Sequence, residues 1–280
     1  MKRFKLLLAT SGLLAASSAA VLVAGGAGAS AASTLPTLTL TLTGKSVTVG
    51  GQMVSGAVNV QTTETGKDGA PTLVHLNPGV DPSVFPHVVQ LVNQHHGDLN
   101  YISPYAQLVY DADAPHGTTT AQTVLPAGNY IALDSNTNGT PPHTTFTVTP
   151  SAAPAALPAP GATENAIEFG FTGPKTIHTG EVVRFVEAGF LVHMDVWLKA
   201  KNMAAAKKLM TLLVTGAPQK KAAGLITGQG TFAGPMSTGG IVQTTITAKP
   251  GIYVQACFMA TQDGRPHILL GMERILKITK

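Results

Sequence analysis

A Pro/Ala stretch, Thr149-Pro-Ser-Ala-Ala-Pro-Ala-Ala-Leu-Pro-Ala-Pro-Gly161, separates two segments that carry the same features in the same order. Leu42-Thr-Gly-Lys-Ser-Val-Thr-Val-Gly-Gly51 matches Phe171-Thr-Gly-Pro-Lys-Thr-Ile-His-Thr-Gly180, and Leu73-Val-His75-Leu-Asn77 matches Leu191-Val-His193-Met-Asp195. Leu125-Pro-Ala-Gly128-Asn-Tyr130-Ile-Ala-Leu-Asp134 matches Ala248-Lys-Pro-Gly251-Ile-Tyr253-Val-Gln-Ala-Cys257. A histidine follows each, His143 and His267, and then a final alternating strand. Such ordered self-similarity reads as a tandem duplication of a unit of about 115 residues. A chain built this way folds as two copies of one small architecture. The linker reads as semi-rigid and unlikely to pack.

Gly, Pro, Thr and Val are abundant and charge is sparse, so each unit is expected to be a β-sandwich. One helix is expected after the first histidine of each unit. Asp81-Pro82-Ser83 opens the first, with Phe85, Val88, Val89 and Val92 on its apolar face. Asn202 caps the second, with Met203, Ala206, Met210 and Leu213 recurring at helical spacing. Met203 and Met210 read as core packing.

The N-terminus sets the compartment. Lys2, Arg3 and Lys5 precede an apolar run to Val23, and Ala27-Gly28-Ala29 offers a small-x-small cleavage site. This is the layout of a secretory signal peptide over residues 1–29, with no transmembrane segment expected after cleavage. The protein is expected to be secreted or to sit in the cell envelope. Residues 34–150 hold two basic and seven acidic residues, and residues 151–280 hold thirteen and seven. The opposite signs suggest attraction between the units. The lysines are not interleaved with aromatics, so no nucleic-acid partner is indicated.

The single cysteine rules out an internal disulfide. Nine residues separate Cys257 from His267, and four separate His267 from Met272. Thiolate, imidazole and thioether are three of the four ligands of a blue-copper site, and His193 is the candidate for the fourth. Taken singly, Cys257 and Met272 read as core residues and His193 as a satisfied strand histidine; their order makes them a set. His95-His96 is a poor metal pair, because adjacent helical residues diverge. No catalytic constellation stands out.

The Gly-x-Tyr strand ending in Cys257, followed by His267-Ile-Leu-Leu-Gly271-Met272, resembles the C-terminal ligand loop of the cupredoxins. The long Cys-to-His gap is most similar to the type-1 copper loop of copper nitrite reductases. The resemblance implies an all-β chain of two tandem cupredoxin-like Greek-key sandwiches: a degenerate domain over 34–149, a linker over 150–164, and a domain over 165–280 holding one type-1 copper ion on His193, Cys257, His267 and Met272. It implies electron transfer with a redox partner protein. Lys207-Lys208 and Lys220-Lys221 read as a solvated face, with docking of an acidic redox partner or an anionic envelope as the alternative. Those reductases place a histidine directly before the copper cysteine. Here that residue is Ala256, and their His-x-His pairs are missing, so no enzyme activity is expected. The first unit has Asp134 in place of the cysteine and no methionine after His143. The alternative is a metal-free secreted β-sandwich protein with a binding or structural role in the envelope.

Overall fold

The computed structural model describes residues 35–280, apart from Asn138 and the side chain of Gln219. The signal peptide expected over 1–29 lies outside the described residues. The chain is all-β. The first half contributes β1 (Thr37–Leu42), β2 (Val47–Gly51), β3 (Gly56–Glu64), β4 (Pro71–Leu76), β5 (Ala106–Asp111), β6 (Gly117–Leu125), β7 (Gly128–Asp134) and β8 (His143–Val148). The second contributes β9 (Ala162–Ile167), β10 (Gly170–Thr172), β11 (Thr176–His178), β12 (Val182–Glu187), β13 (His193–Ala200), β14 (Ile226–Met236), β15 (Ile241–Thr245), β16 (Gly251–Ala256) and β17 (Glu273–Thr279). No helix among the described residues is long and apolar enough to cross a membrane.

Each half stacks two sheets. In the first, β2-β1-β3-β6 faces β5-β4-β7-β8; in the second, β10-β9-β12-β15 faces β11-β17-β16-β13-β14. β1 shows why these segments are strands. Leu38, Leu40 and Leu42 are buried while the intervening threonines face outward. That two-residue period suits a sheet with one face in the core, and each buried leucine contributes about 1.5–3 kcal/mol.

The halves join edge to edge, so β10-β9-β12-β15-β6-β3-β1-β2 is one continuous sheet. A row of amides crosses the seam. Gln243 donates to Gln122 at 2.9 Å, Gln122 donates to Asn59 at 3.1 Å, and Arg184 donates to Gln243 at 2.7 Å. In the other layer Ser237 donates its backbone N–H to the Leu108 carbonyl at 2.8 Å, and Asp113 accepts from the Thr231 amide at 2.8 Å. The ion pairs among the described residues, Arg265–Asp263 and Arg274–Glu164, both lie within the second half. No ion pair among the described residues crosses the seam; hydrogen bonds and one apolar cluster shared by both halves do.

The Pro/Ala stretch also departs from expectation, because it packs. The Ala155 carbonyl accepts from the Ala57 amide at 2.8 Å, and the Pro158 carbonyl accepts from Arg184 at 2.8 Å and Gln243 at 3.1 Å. Gly56 (φ +108°) permits this, since a Cβ there would lie 2.8 Å from the Ala155 nitrogen. The carbonyls of this stretch lie outside any helix or strand, so they are free to accept from the sheet.

Both expected helices form. Asp81 accepts from the Ser83 amide at the start of a 3-10 turn, Pro82–Val84, which runs into α1 (Phe85–Gln94). Asn202 accepts from the Ala205 amide at 2.9 Å and caps α2 (Met203–Val214), a bond worth about 1 kcal/mol. The buried face of α2 is Ala206 and Leu209, flanked by Met210 and Leu213. Met203 is 42% exposed and is not a core residue; it lies in the exposed first turn with Ala204. A short α3 (Gln219–Ala223) follows, so the second half has two helices rather than the one expected.

Asp111 lies buried on β5 at the seam, accepting from the Thr72 and Ser135 hydroxyls. Burial pushes its carboxyl up to about 8. The folded protein thus takes up a proton between the unfolded value near about 4 and that pH. Its contribution to stability is full below the lower value and is lost as pH rises through the upper. Asp111→Asn is expected to flatten this fall, measured as urea midpoints at pH 5 and pH 8; an identical pH profile would contradict the assignment.

Candidate metal centre

β13 and β16 are neighbours in register, with Val196 opposite Ala256 and Lys199 opposite Tyr253. This brings the start of β13, where His193 sits, beside the end of β16, which leads into Cys257. The chain then loops out and returns through a 3-10 turn, His267–Leu270. Its backbone is pinned to the cysteine: Ile268 donates to the Cys257 carbonyl at 2.9 Å, and Cys257 donates to the Met272 carbonyl at 3.2 Å. Gly271 (φ +92°) makes the reversal before Met272, in a conformation that favours glycine.

The result is a compact donor set. His193 Nδ1 and His267 Nδ1 are 3.0 Å apart, and Cys257 Sγ lies 3.8 Å from the first and 3.5 Å from the second. His193, Cys257, His267 and Met272 are all fully buried. Among the described residues this is the one group of three or more His, Cys, Asp or Glu side chains close enough to hold an ion. Ligands bound to a single ion at about 2.0–2.3 Å lie roughly 3–4 Å from one another, so the spacing fits one ion.

The electrostatics agree. Burial pushes His193 down to about 4, helped by the neighbouring His267, and burial also lowers His267. Both shifts favour the neutral ring, whose lone pair is available to a cation. Burial pushes the Cys257 thiol up to about 12, against the pull of the Met194 and Met259 amides. A thiol held neutral by desolvation becomes a thiolate when a cation supplies the opposing charge. The Nε2 atoms of both rings are buried without partners. Phe169, held at φ +54° between β9 and β10, packs edge-on against His267 at 5.2 Å.

Comparison with solved structures finds the same kind of protein repeatedly. An auracyanin from Roseiflexus castenholzii is 20% identical and covers 42% of this chain and 95% of its own, with a TM-score of 0.26. An azurin from Methylomonas sp. strain J is 15% identical, covers 42% and 96%, and scores 0.25. A copper-containing nitrite reductase from Thermus scotoductus is 14% identical, covers 87% and 67%, and scores 0.25. The neighbours are cupredoxins and a copper nitrite reductase. At these scores they carry no weight in assigning a function, which stands on the ligand distances. Neither a protein-family model nor a curated protein sequence matches the chain.

The second half can be set beside the first. β4 and β7 pair as β13 and β16 do, and each half has a tyrosine whose hydroxyl donates four residues back: Tyr130 to Pro126 at 2.8 Å and Tyr253 to Lys249 at 2.6 Å. Aligned on these tyrosines, His75, opposite Tyr130, corresponds to Lys199, opposite Tyr253. The sequence match of His75 with His193 is therefore displaced by six residues, although His193 itself does reach the site. His75 packs on the Tyr130 ring at 4.8 Å, as Lys199 lies over Tyr253. Asp134 is consumed by the Ala70 and Asn136 amides, and exposed His143 donates to the Pro141 carbonyl. His95 stacks on Tyr101 at 3.6 Å and does not pair with His96.

Sequence reasoning missed the polar layer around the ligands. Beneath Cys257, buried Gln255 donates to Glu164 at 3.0 Å and to Asp195 at 2.7 Å, and Arg274 closes the network on Glu164 and Gln255. These residues come from β9, β13, β16 and β17, and no local motif links them. Burial raises both acids, Glu164 to about 7, and Arg274 is the one cation that opposes this. Arg274→Ala is expected to cost about 3–5 kcal/mol in urea unfolding, since it strands buried acids. Independently, the Cys257 thiol of the metal-free protein is expected to react with a chromogenic disulfide reagent only as fast as the fold opens, and at once in denaturant. Rapid reaction in the native state would show that the site is open.

Proposed function

We propose that the protein is a secreted, mononuclear type-1 copper protein that transfers electrons, in which His193, Cys257, His267 and Met272 would hold the ion. The observation that carries this reading is the convergence of two imidazole Nδ1 atoms and one thiol sulfur within 3.0–3.8 Å of each other in a fully buried pocket. A neutral His/His/Cys set of this softness suits copper better than magnesium or calcium, which take oxygen ligands. Copper bound there would supply one-electron redox chemistry.

The protein's own residues do the rest. β13 and β16 hold His193 and Cys257 on paired strands, and the pinned 267–272 turn holds His267 and Met272, so the ligands move little on a change of charge. The surrounding apolar side chains exclude water, which strengthens the thiolate bond and influences the potential. Ala256, buried before Cys257, offers no ligand toward a second metal, which supports electron transfer rather than catalysis. The matched strand pairing of the two halves supports a duplicated unit whose first copy lost its ligands.

Titration of the mature protein with Cu(II) is expected to give one equivalent of binding and intense absorption near about 600 nm. Cys257→Ser is expected to abolish the band, and Met272→Leu to keep it while shifting the reduction potential. A folded wild-type protein that stays colourless would favour the metal-free envelope protein instead.

A further inference from the structure

Residues 77–105, the excursion between β4 and β5, belong to the first half but pack on the ligand loops of the second. Val192 and Met259 share an apolar cluster with Val74, Leu76, Phe85 and Ile102. The His96 Cβ lies 3.3 Å from where a side chain on Gly264 would begin. Polar contacts follow the same path. Asn100 Oδ1 accepts the backbone N–H of Val192, the residue before His193, at 2.8 Å. Asp98 is fully buried, and its Oδ1 accepts from the Asn100 amide at 2.9 Å and from the Asn100 side chain at 2.6 Å. Its Oδ2 is buried without a partner, as is the Nε2 of His267. Asp98 also acts electrostatically on His267, opposing the effect of burial.

The geometry points to Asp98 and Asn100 as positioning residues for the metal centre, through which the first half completes the site of the second. Asn100 anchors the entry to His193, and Asp98, which shares a cavity wall with Gln262 of the loop between Cys257 and His267, favours the more highly charged state of the centre. This rests on the copper reading. A simple cap on the 3-10 turn Leu99–Ile102 would explain the Oδ1 contacts. It does not explain a second oxygen buried without a donor, nor an Asn100 side chain spent on the neighbour of a ligand. Outer-layer groups of this kind fix ligand orientation and change metal affinity by about 10–100-fold.

The test uses the whole mature protein. Asp98→Asn keeps the capping oxygen and the size of the side chain and removes the charge. It is expected to keep the blue band and lower the ratio of Cu(II) to Cu(I) affinity about tenfold. For a one-electron couple that ratio is a rise of about 59 mV in reduction potential. An unchanged potential in a blue, folded variant overturns the role of Asp98. Asp98→Ser, which also caps, takes its place if the first variant does not fold, with the same two outcomes. In the metal-free protein, Asn100→Ala is expected to speed hydrogen exchange at the Val192 amide while the Val183 amide in the core is unaffected. Unchanged exchange at Val192 overturns the anchoring. A wild-type protein that takes up no copper overturns the copper reading and the charge effect together, and the Val192 amide alone then decides whether the first half holds this loop.

Discussion

The seam between the two halves is the constraint on which the rest of the structure depends. Gln122 and Gln243 meet side chain to side chain where β6 and β15 abut, and Gln243 is wholly buried there. A buried amide left unpaired costs about 1–3 kcal/mol, and Gln243 avoids this by bonding Gln122 across the seam together with Arg184 and the Pro158 carbonyl. The same join places β5 against β14 in the second layer. It also carries residues 77–105 over the ligand loops. Without it, His267 would lie under a loop with no cover from the first half.

The centre illustrates how burial prepares donors. Desolvation favours the neutral form of both imidazoles and the thiol, so three good ligands wait in one pocket without mutual charge repulsion. A cation changes the balance, because only a positive charge repays the cost of a buried thiolate. The adjoining network of Glu164, Asp195, Gln255 and Arg274 places further buried polar groups beneath β16. Burial raises both acids, and the one cation of the network, Arg274, opposes this without cancelling it.

Much of the site was legible because its parts are close in sequence. Cys257, His267 and Met272 lie on one loop, and spacing alone suggested their chemistry. The helix caps at Asp81 and Asn202 were legible for the same reason: a cap bonds to amides two or three residues away. His193 was reached through an alignment that the strand register displaces by six residues. Local strings such as Leu-Val-His recur in β-rich chains, whereas register is set by pairing partners far away. The tyrosines at 130 and 253 were the better anchors, since each makes the same bond to its own turn. Met203 misled because helical period says which residues share a face, not which of them are covered.

What the sequence determined by itself is local: alternating strands, capped helices, and a soft-donor loop in the second unit that the first lacks. These depend on contacts within a few residues or on the chemistry of single side chains. Only the tertiary structure decided that the Pro/Ala stretch packs, that amides and a shared apolar cluster bridge the halves, and that Asn100 reaches the residue before His193 from the other half. Most of those contacts span 59 to 129 positions of the chain, and nothing in a local pattern records which distant strands will become neighbours.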